Sequence, residues 1–149
     1  MANNEFITRR KSSPEPVYHR GRPILHHLDI ELTERCNNNC IHCCINLPEN
    51  DQKAAKRELG TAAWMDILQQ AADLGALTVR FTGGEPLLRE DFVEIYRHAR
   101  KLGMRVMLFT NARLITKELA DLFAKIPPLK KIEISVYGMH EGSYDAIAR

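Results

Sequence analysis

The stretch Leu28-Asp29-Ile30-Glu31-Leu32-Thr33-Glu34-Arg35-Cys36-Asn37-Asn38-Asn39-Cys40-Ile41-His42-Cys43 sets the reading of the whole chain. Its first half alternates apolar and polar residues with the period of two that a strand requires. Its second half carries three cysteines at C-x3-C-x2-C spacing. Three thiolates on one short loop can hold three irons of a cubane [4Fe–4S] cluster and leave the fourth iron open, whereas a closed structural site normally takes a fourth protein ligand. Structural zinc stays as the alternative, with His42 or Cys44 as fourth ligand, although ligands adjacent in sequence strain a tetrahedral site.

Outward from this stretch, strand and helix patterns alternate. Alternation predicts strands over Leu28 to Thr33, Leu77 to Thr82, Arg105 to Thr110 and Ile132 to Tyr137. Spacing of i, i+3, i+4 predicts helices over Thr61 to Leu74 (Trp64, Leu68, Ala71, Leu74 on one face), Glu90 to Leu102 (Phe92, Ile95, Tyr96, Ala99, Leu102) and Thr116 to Ile126 (Leu119, Leu122, Phe123, Ile126). Thr61 and Thr116 stand where N-caps belong, Gly75 and Gly103 where helices end, and Pro127-Pro128 stops the third helix. Repeated βα units with right-handed crossovers make a parallel sheet.

A parallel sheet covered on both faces reads as continuous Val, Ile and Leu, and three of these four strands do not. Asp29, Glu31 and Thr33, then Thr78, Arg80 and Thr82, then Glu133, Ser135 and Tyr137 share the face away from the helices. The expected fold is therefore α/β: a partial parallel (β/α) barrel, TIM-like, with ligands on its concave side. Arg80 is expected to pair there with Glu31 or Glu133. Active sites of such barrels lie at the rim formed by the loops after the strands. Cys36 to Cys43, Gly83 to Pro86, Asn111, and Ser135 with Tyr137 all fall on that rim.

On Cys36 to Cys43, with Gly83-Gly84-Glu85-Pro86 after the next strand, the chain resembles the radical S-adenosylmethionine (SAM) enzymes. The resemblance implies a [4Fe–4S] cluster on Cys36, Cys40 and Cys43, with Cys44 as a spare thiol. It implies that SAM chelates the unique iron through its amino and carboxylate groups. One electron, from a low-potential donor such as flavodoxin or ferredoxin, then cleaves SAM to methionine and a 5′-deoxyadenosyl radical that abstracts hydrogen from a substrate. His42 occupies the position where the family usually has an aromatic residue against the adenine. Gly83, Gly84 and Glu85 become the stretch that receives the SAM amino group, the glycines by letting the backbone approach a ligand. Asn111 and Ser135 are implied as SAM contacts, with hydrogen bonding at strand ends as the other reading.

The family core has six βα units, and four are legible here, so the expectation is an N-terminal portion of such an enzyme. Phe109-Thr110-Asn111-Ala112 and Ile134-Ser135-Val136-Tyr137-Gly138 look like the branch whose C-terminal extension often carries auxiliary Fe–S clusters and which often acts on peptides. The competing readings are a catalytically incompetent Fe–S binding module and a structural zinc protein.

Composition narrows the rest. With 149 residues, 44% hydrophobic and 27% charged, the chain reads as one soluble globular domain. It has neither a membrane-span run nor a signal-peptide apolar segment, so a cytoplasmic location and no membrane partner are expected. All four cysteines lie within residues 36–44, too crowded for a disulfide framework. The net charge of +2 is uneven: Arg9, Arg10, Lys11, Arg20 and Arg22 outweigh Glu5 and Glu15. Residues 1–24 are expected as a basic, loosely ordered leader and 25–149 as the (β/α) domain. Nucleic acid is not the expected partner of that leader.

Overall fold

Parallel pairing in chain order organises the molecule: β1 (His27–Thr33), β2 (Thr78–Gly83), β3 (Arg105–Thr110) and β4 (Leu129–Ile134) form a four-stranded sheet, β1-β2-β3-β4. The computed structural model describes residues 25–45 and 47–149, with the backbone of a two-residue antiparallel ladder between Tyr18–His19 and Arg22–Pro23. Apart from that ladder, the expected leader lies outside the described residues. Helices α1 (Gln52–Arg57) and α2 (Thr61–Asp73) connect β1 to β2, α3 (Phe92–Lys101) connects β2 to β3, α4 (Lys117–Lys125) connects β3 to β4, and α5 (Glu141–Ala148) follows β4. This is the expected α/β architecture, a partial parallel barrel of βα units. Among the described residues no helix is long and apolar enough to cross a membrane.

The alternation becomes two different faces. Ile30, Leu32, Val79, Phe81, Val106 and Leu108 are buried against Leu68 and Ala71 of α2, Phe92, Ile95, Tyr96 and Ala99 of α3, and Leu122 and Phe123 of α4. Each large side chain so buried is worth about 1.5–3 kcal/mol. Tyr96 meets Phe123 edge-on at 5.3 Å and donates its hydroxyl to the Ile126 carbonyl at 2.5 Å, and burial pushes its phenol up to about 12. On the other face the register sets Asp29 beside Arg80 and Arg80 beside Met107. Arg80 Nη2 donates to Asp29 Oδ2 at 2.5 Å, and its guanidinium lies 5.1 Å from the Phe109 ring centroid. The expected partners Glu31 and Glu133 are thus corrected to Asp29, the residue directly across the ladder.

Other boundaries differ for local reasons. β4 begins three residues before the expected Ile132, because Val106 N–H donates to the Pro128 carbonyl and Leu129, at φ 64, starts the pairing. Lys130 and Lys131, outside the expected strand, fit an edge strand, which tolerates lysine. Ile134 and Val136, expected to face helices, are 48% and 61% exposed. The N-cap of α2 is Gly60, and Thr61 inside the helix donates instead to Asp91 at 2.6 Å. Leu74 lies just past that helix and is exposed. Thr116 does cap α4, accepting from Leu119 N–H. Helix α1 was not foreseen: with only Ala54 buried it has no apolar stripe, and its signal is the N-cap Asp51, which accepts from Lys53 and Ala54 N–H.

Glu58, the C-cap residue of α1, ties this segment to the sheet. It accepts from Arg35 Nε at 2.7 Å, Arg35 Nη2 at 3.2 Å, Arg89 Nη1 at 3.1 Å and Thr33 Oγ1 at 2.6 Å. Burial alone would raise the Glu58 carboxyl, but Arg35, Thr33 and Arg89 hold it below the usual range. Arg89, 6% exposed, also donates to both Asp91 oxygens and to the carbonyls of Leu32 and Leu59.

The glycines close the sheet's upper end. Gly84 N–H donates to the Thr33 carbonyl at 2.7 Å and Glu85 N–H to the Arg35 carbonyl at 2.8 Å. A Cβ on Gly83, itself at φ 123, would overlap Thr33 O, and one on Gly84 would overlap Arg35 O. The missing side chains therefore admit the chain's own backbone.

Two outcomes are expected. Gly84→Ala destabilises by ~3 kcal/mol because no backbone there can retreat, whereas Gly142→Ala, with nothing near its Cβ, is neutral or slightly stabilising; urea unfolding measures both. Glu58→Gln costs about 3 kcal/mol at neutral pH. Because the folded-state pKa of Glu58 is depressed, its contribution is complete above the ordinary glutamate pKa of ~4.3 and is lost as pH falls through the depressed value. The stability gap between wild type and variant should close in that acid window, and a gap constant down to the lowest folded pH would refute the pairing.

Candidate cofactor site

The loop after β1 is shaped by backbone and side-chain ties before any ligand is considered. Arg35–Cys36 forms a two-residue parallel ladder with Leu47–Pro48, which closes the loop at its base. Cys43 N–H donates to the Cys40 carbonyl, giving the turn that separates the second and third thiols. The far side rests on the C-terminal end of α5: Asn39 N–H donates to the carbonyls of Ala148 and Arg149 at 3.0 and 3.1 Å, and Ile41 N–H to Ile147 at 3.0 Å. Those carbonyls would otherwise lack partners at a helix end.

Cys36, Cys40 and Cys43 line one cleft of about 140 Å³ together with Gly83, Gly84, Asn111, Ser135, Phe109 and Tyr137. Each rim loop contributes, so residues far apart in sequence converge as strand polarity requires. Cys36 is half-buried, and burial pushes its thiol up against the opposing Asn38 N–H bond at 3.4 Å; Glu85, Cys40 and Cys43 push the same way as burial. Burial and the neighbouring Cys43 likewise push Cys40 up. Metal binding needs these groups as thiolates, so a cationic centre is their natural counterpart.

Among the described residues no three His, Cys, Asp or Glu side chains converge as a single-ion site. A cubane, whose irons present separate corners, does not need that convergence. Three soft donors lining one cleft suit its chemistry. Cys44, exposed like Cys43, is outside the cleft lining.

Two expected site residues stand elsewhere. Glu85 is fully buried and outside the cleft lining. Its carboxylate accepts from Thr110 Oγ1 at 2.9 Å, Asn111 N–H at 2.8 Å and Leu87 N–H at 3.0 Å, and burial outweighs these bonds to push its pKa up. It is a tie between the ends of β2 and β3, because its backbone is pinned to Arg35 and its side chain caps the 3-10 turn Pro86–Leu88. His42 is exposed and meets Tyr137 edge-on at 4.6 Å; Tyr137, not His42, lines the cleft.

Several residues escaped the sequence reading. Arg113 Nη1 donates to the Asn37 carbonyl at 2.7 Å and Asn38 Oδ1 at 2.8 Å. Asn38 is buried and donates through Nδ2 to Tyr144 Oη at 3.3 Å. The visible signal was the Asn37-Asn38-Asn39 run inside the cysteine motif, three polar side chains where a loop under no constraint needs none.

The profile of the radical SAM superfamily matches residues 30–149. The PqqA peptide cyclase of Bradyrhizobium diazoefficiens is 38% identical over 119 residues, 80% of this chain and 30% of the cyclase. That of Xanthomonas euvesicatoria pv. vesicatoria is 36% identical over the same share of this chain and 31% of its own length. The crystal structure of Streptococcus suis SuiB superposes with a TM-score of 0.67 at 26% identity, over 84% of this chain and 27% of SuiB. SuiB structures bound to its precursor peptide SuiA and to S-adenosylmethionine, at 24% and 23% identity with TM-scores of 0.66 and 0.65, carry the likeness of fold alone. The chain spans about 30% of the length of the curated relatives it matches. Because the match begins within β1 and takes in the cysteine loop and every βα unit after it, the chain belongs to the radical SAM superfamily.

Proposed function

We propose that residues 25–149 are the cluster- and SAM-binding part of a radical SAM enzyme acting on a peptide, with residues 1–24 as a leader to that domain. The observation that carries this reading is the single cleft lined by the three motif cysteines, Gly83, Gly84, Asn111 and Ser135. A [4Fe–4S] cluster with SAM at its open iron supplies, when bound, one-electron cleavage of SAM to a 5′-deoxyadenosyl radical that abstracts hydrogen from substrate.

The chain's own residues do the placing. Cys36, Cys40 and Cys43 would hold three irons of the cluster. The Gly83-Gly84 backbone, drawn against β1 by Gly84 N–H and Glu85 N–H, forms a cleft floor that would receive the SAM amino group. Glu85 acts by fixing Thr110 and Asn111. Ser135, whose N–H donates to the Thr110 carbonyl, lines the cleft just past β4, and Phe109 and Tyr137 supply its aromatic wall. His42 backs Tyr137 where the adenine would lie. A peptide substrate is supported by the likeness to the PqqA peptide cyclases. The reaction requires a low-potential donor, for which flavodoxin or ferredoxin is suited, and a reducing compartment such as the cytoplasm.

Anaerobic reconstitution should give one oxygen-sensitive cluster, lost in Cys36→Ala, Cys40→Ala and Cys43→Ala and kept in Cys44→Ala. Iron and sulfide content decide it, and loss in Cys44→Ala as complete as in Cys40→Ala refutes the ligand set.

A second outcome concerns turnover. β4 pairs on one side only among the described residues, and its last residue Ile134 and the following Val136 are exposed, so the 149-residue chain should associate through that edge. With the concave side open to water it should form 5′-deoxyadenosine slowly or not at all under excess dithionite. A stable monomer by light scattering that cleaves many equivalents of SAM would overturn this.

A further inference from the structure

Asn111 leaves β3 with its amide orientation determined by its neighbours. Its Oδ1 accepts from Arg113 N–H at 3.0 Å, so the nitrogen is the end that faces the cysteine loop. Nδ2 donates to Asn37 Oδ1 at 2.7 Å and to Cys36 Sγ at 3.8 Å. An amide nitrogen carries two hydrogens, and both donations stand together.

The residue is braced on every side. Its backbone N–H is held by the buried Glu85 carboxylate at 2.8 Å. Ala112, at φ 64, turns the chain so that Arg113 reaches back over the loop to Asn37 and Asn38. A non-glycine residue in that conformation is uncommon and persists where surrounding contacts over-determine it. The same sulfur receives the Asn38 N–H at 3.4 Å. Cys36 is thus the cysteine on which side-chain and backbone donors from two rim loops converge.

We propose that Asn111 is a positioning residue that donates a hydrogen bond to the sulfur of Cys36 and thereby raises the reduction potential of the cluster held there. The inference rests on the reading of Cys36 as a cluster ligand. An electron added to the cluster increases the negative charge on its cysteinyl sulfurs. A donor fixed on one sulfur therefore favours the reduced form over the oxidised one, and more so where the sulfur is half-buried. This differs from the expected SAM contact: the amide group faces protein sulfur, and its effect passes through Cys36.

The test uses the whole chain, reconstituted anaerobically without SAM, and an EPR-monitored potentiometric titration of the one-electron couple. Asn111→Leu keeps the shape and removes the donor. It should bind iron and sulfide as wild type does, with its midpoint lowered so that the reduced-to-oxidised ratio at a fixed potential falls about tenfold, ~59 mV for one electron. Asn37→Ala removes the other acceptor of the same amide and should titrate as wild type. A loaded Asn111→Leu protein with the wild-type midpoint overturns the proposal. If that variant fails to load, wild type decides: pulsed EPR with nitrogen-15 in the asparagine side-chain amides should show a coupling that persists in both Asn37→Ala and Asn38→Ala, the latter removing the other asparagine amide that reaches a motif thiol, and no coupling overturns the proposal. Wild type that takes up no iron refutes the cluster reading and this inference with it, an outcome distinct from an unmoved midpoint.

Discussion

Docking of the glycine turn after β2 against the end of β1 is the constraint on which the rim depends. Two backbone hydrogen bonds, Gly84 N–H to Thr33 O and Glu85 N–H to Arg35 O, bring the strands' ends together where a Cβ on either glycine would overlap backbone. The cysteine motif begins one residue after Arg35, so its origin is set by that contact. The same turn directs Glu85 into the interior, where its carboxylate is desolvated and answered by three donors. A buried carboxylate with satisfied oxygens rigidifies what it joins, because breaking one bond leaves an unpaired group in a low dielectric.

A second tie converges on the same place from the opposite side. Arg35 is held through its backbone by Glu85 and through its guanidinium by Glu58, which also engages Arg89 and Thr33. The segment between the cysteine motif and α2 thereby becomes a strut between α1 and the ends of β1 and β2. Pairs of this burial contribute little net stability compared with apolar packing of the same volume, but removing one member is costly. Their value is geometric: they fix the residue that precedes Cys36.

The cleft joins these constraints to chemistry. Its thiols come from the loop after β1, its floor from the end of β2 and the loop after it, its amide from the residue after β3, and its aromatic wall from Phe109 of β3 and Tyr137 beyond β4. Asn38, Arg113 and Tyr144 connect the cysteine loop to the loop after β3 and to α5. The loop therefore has a defined shape in the protein alone, which is what preorganised binding of a cluster and its co-substrate requires.

Much of this was legible in the residues. Alternation in Leu28 to Thr33 and Arg105 to Thr110, and the apolar stripe of Phe92, Ile95, Tyr96 and Ala99, determined the elements, because burial of one face is a local pattern with a fixed period. The spacing of Cys36, Cys40 and Cys43 and the Gly83-Gly84 pair located the rim, since both are punctuation that no core requires. What only the tertiary structure decided were partners. Arg80 meets Asp29 because register, invisible in sequence, sets them opposite each other. Glu85 faces inward because its backbone is committed to Arg35, and β4 starts at Leu129 because a φ of 64 there admits pairing with β3. Periodicity is a property of one segment and can be read from it; a hydrogen bond between distant segments depends on how they are juxtaposed, and that is settled only when the chain closes on itself.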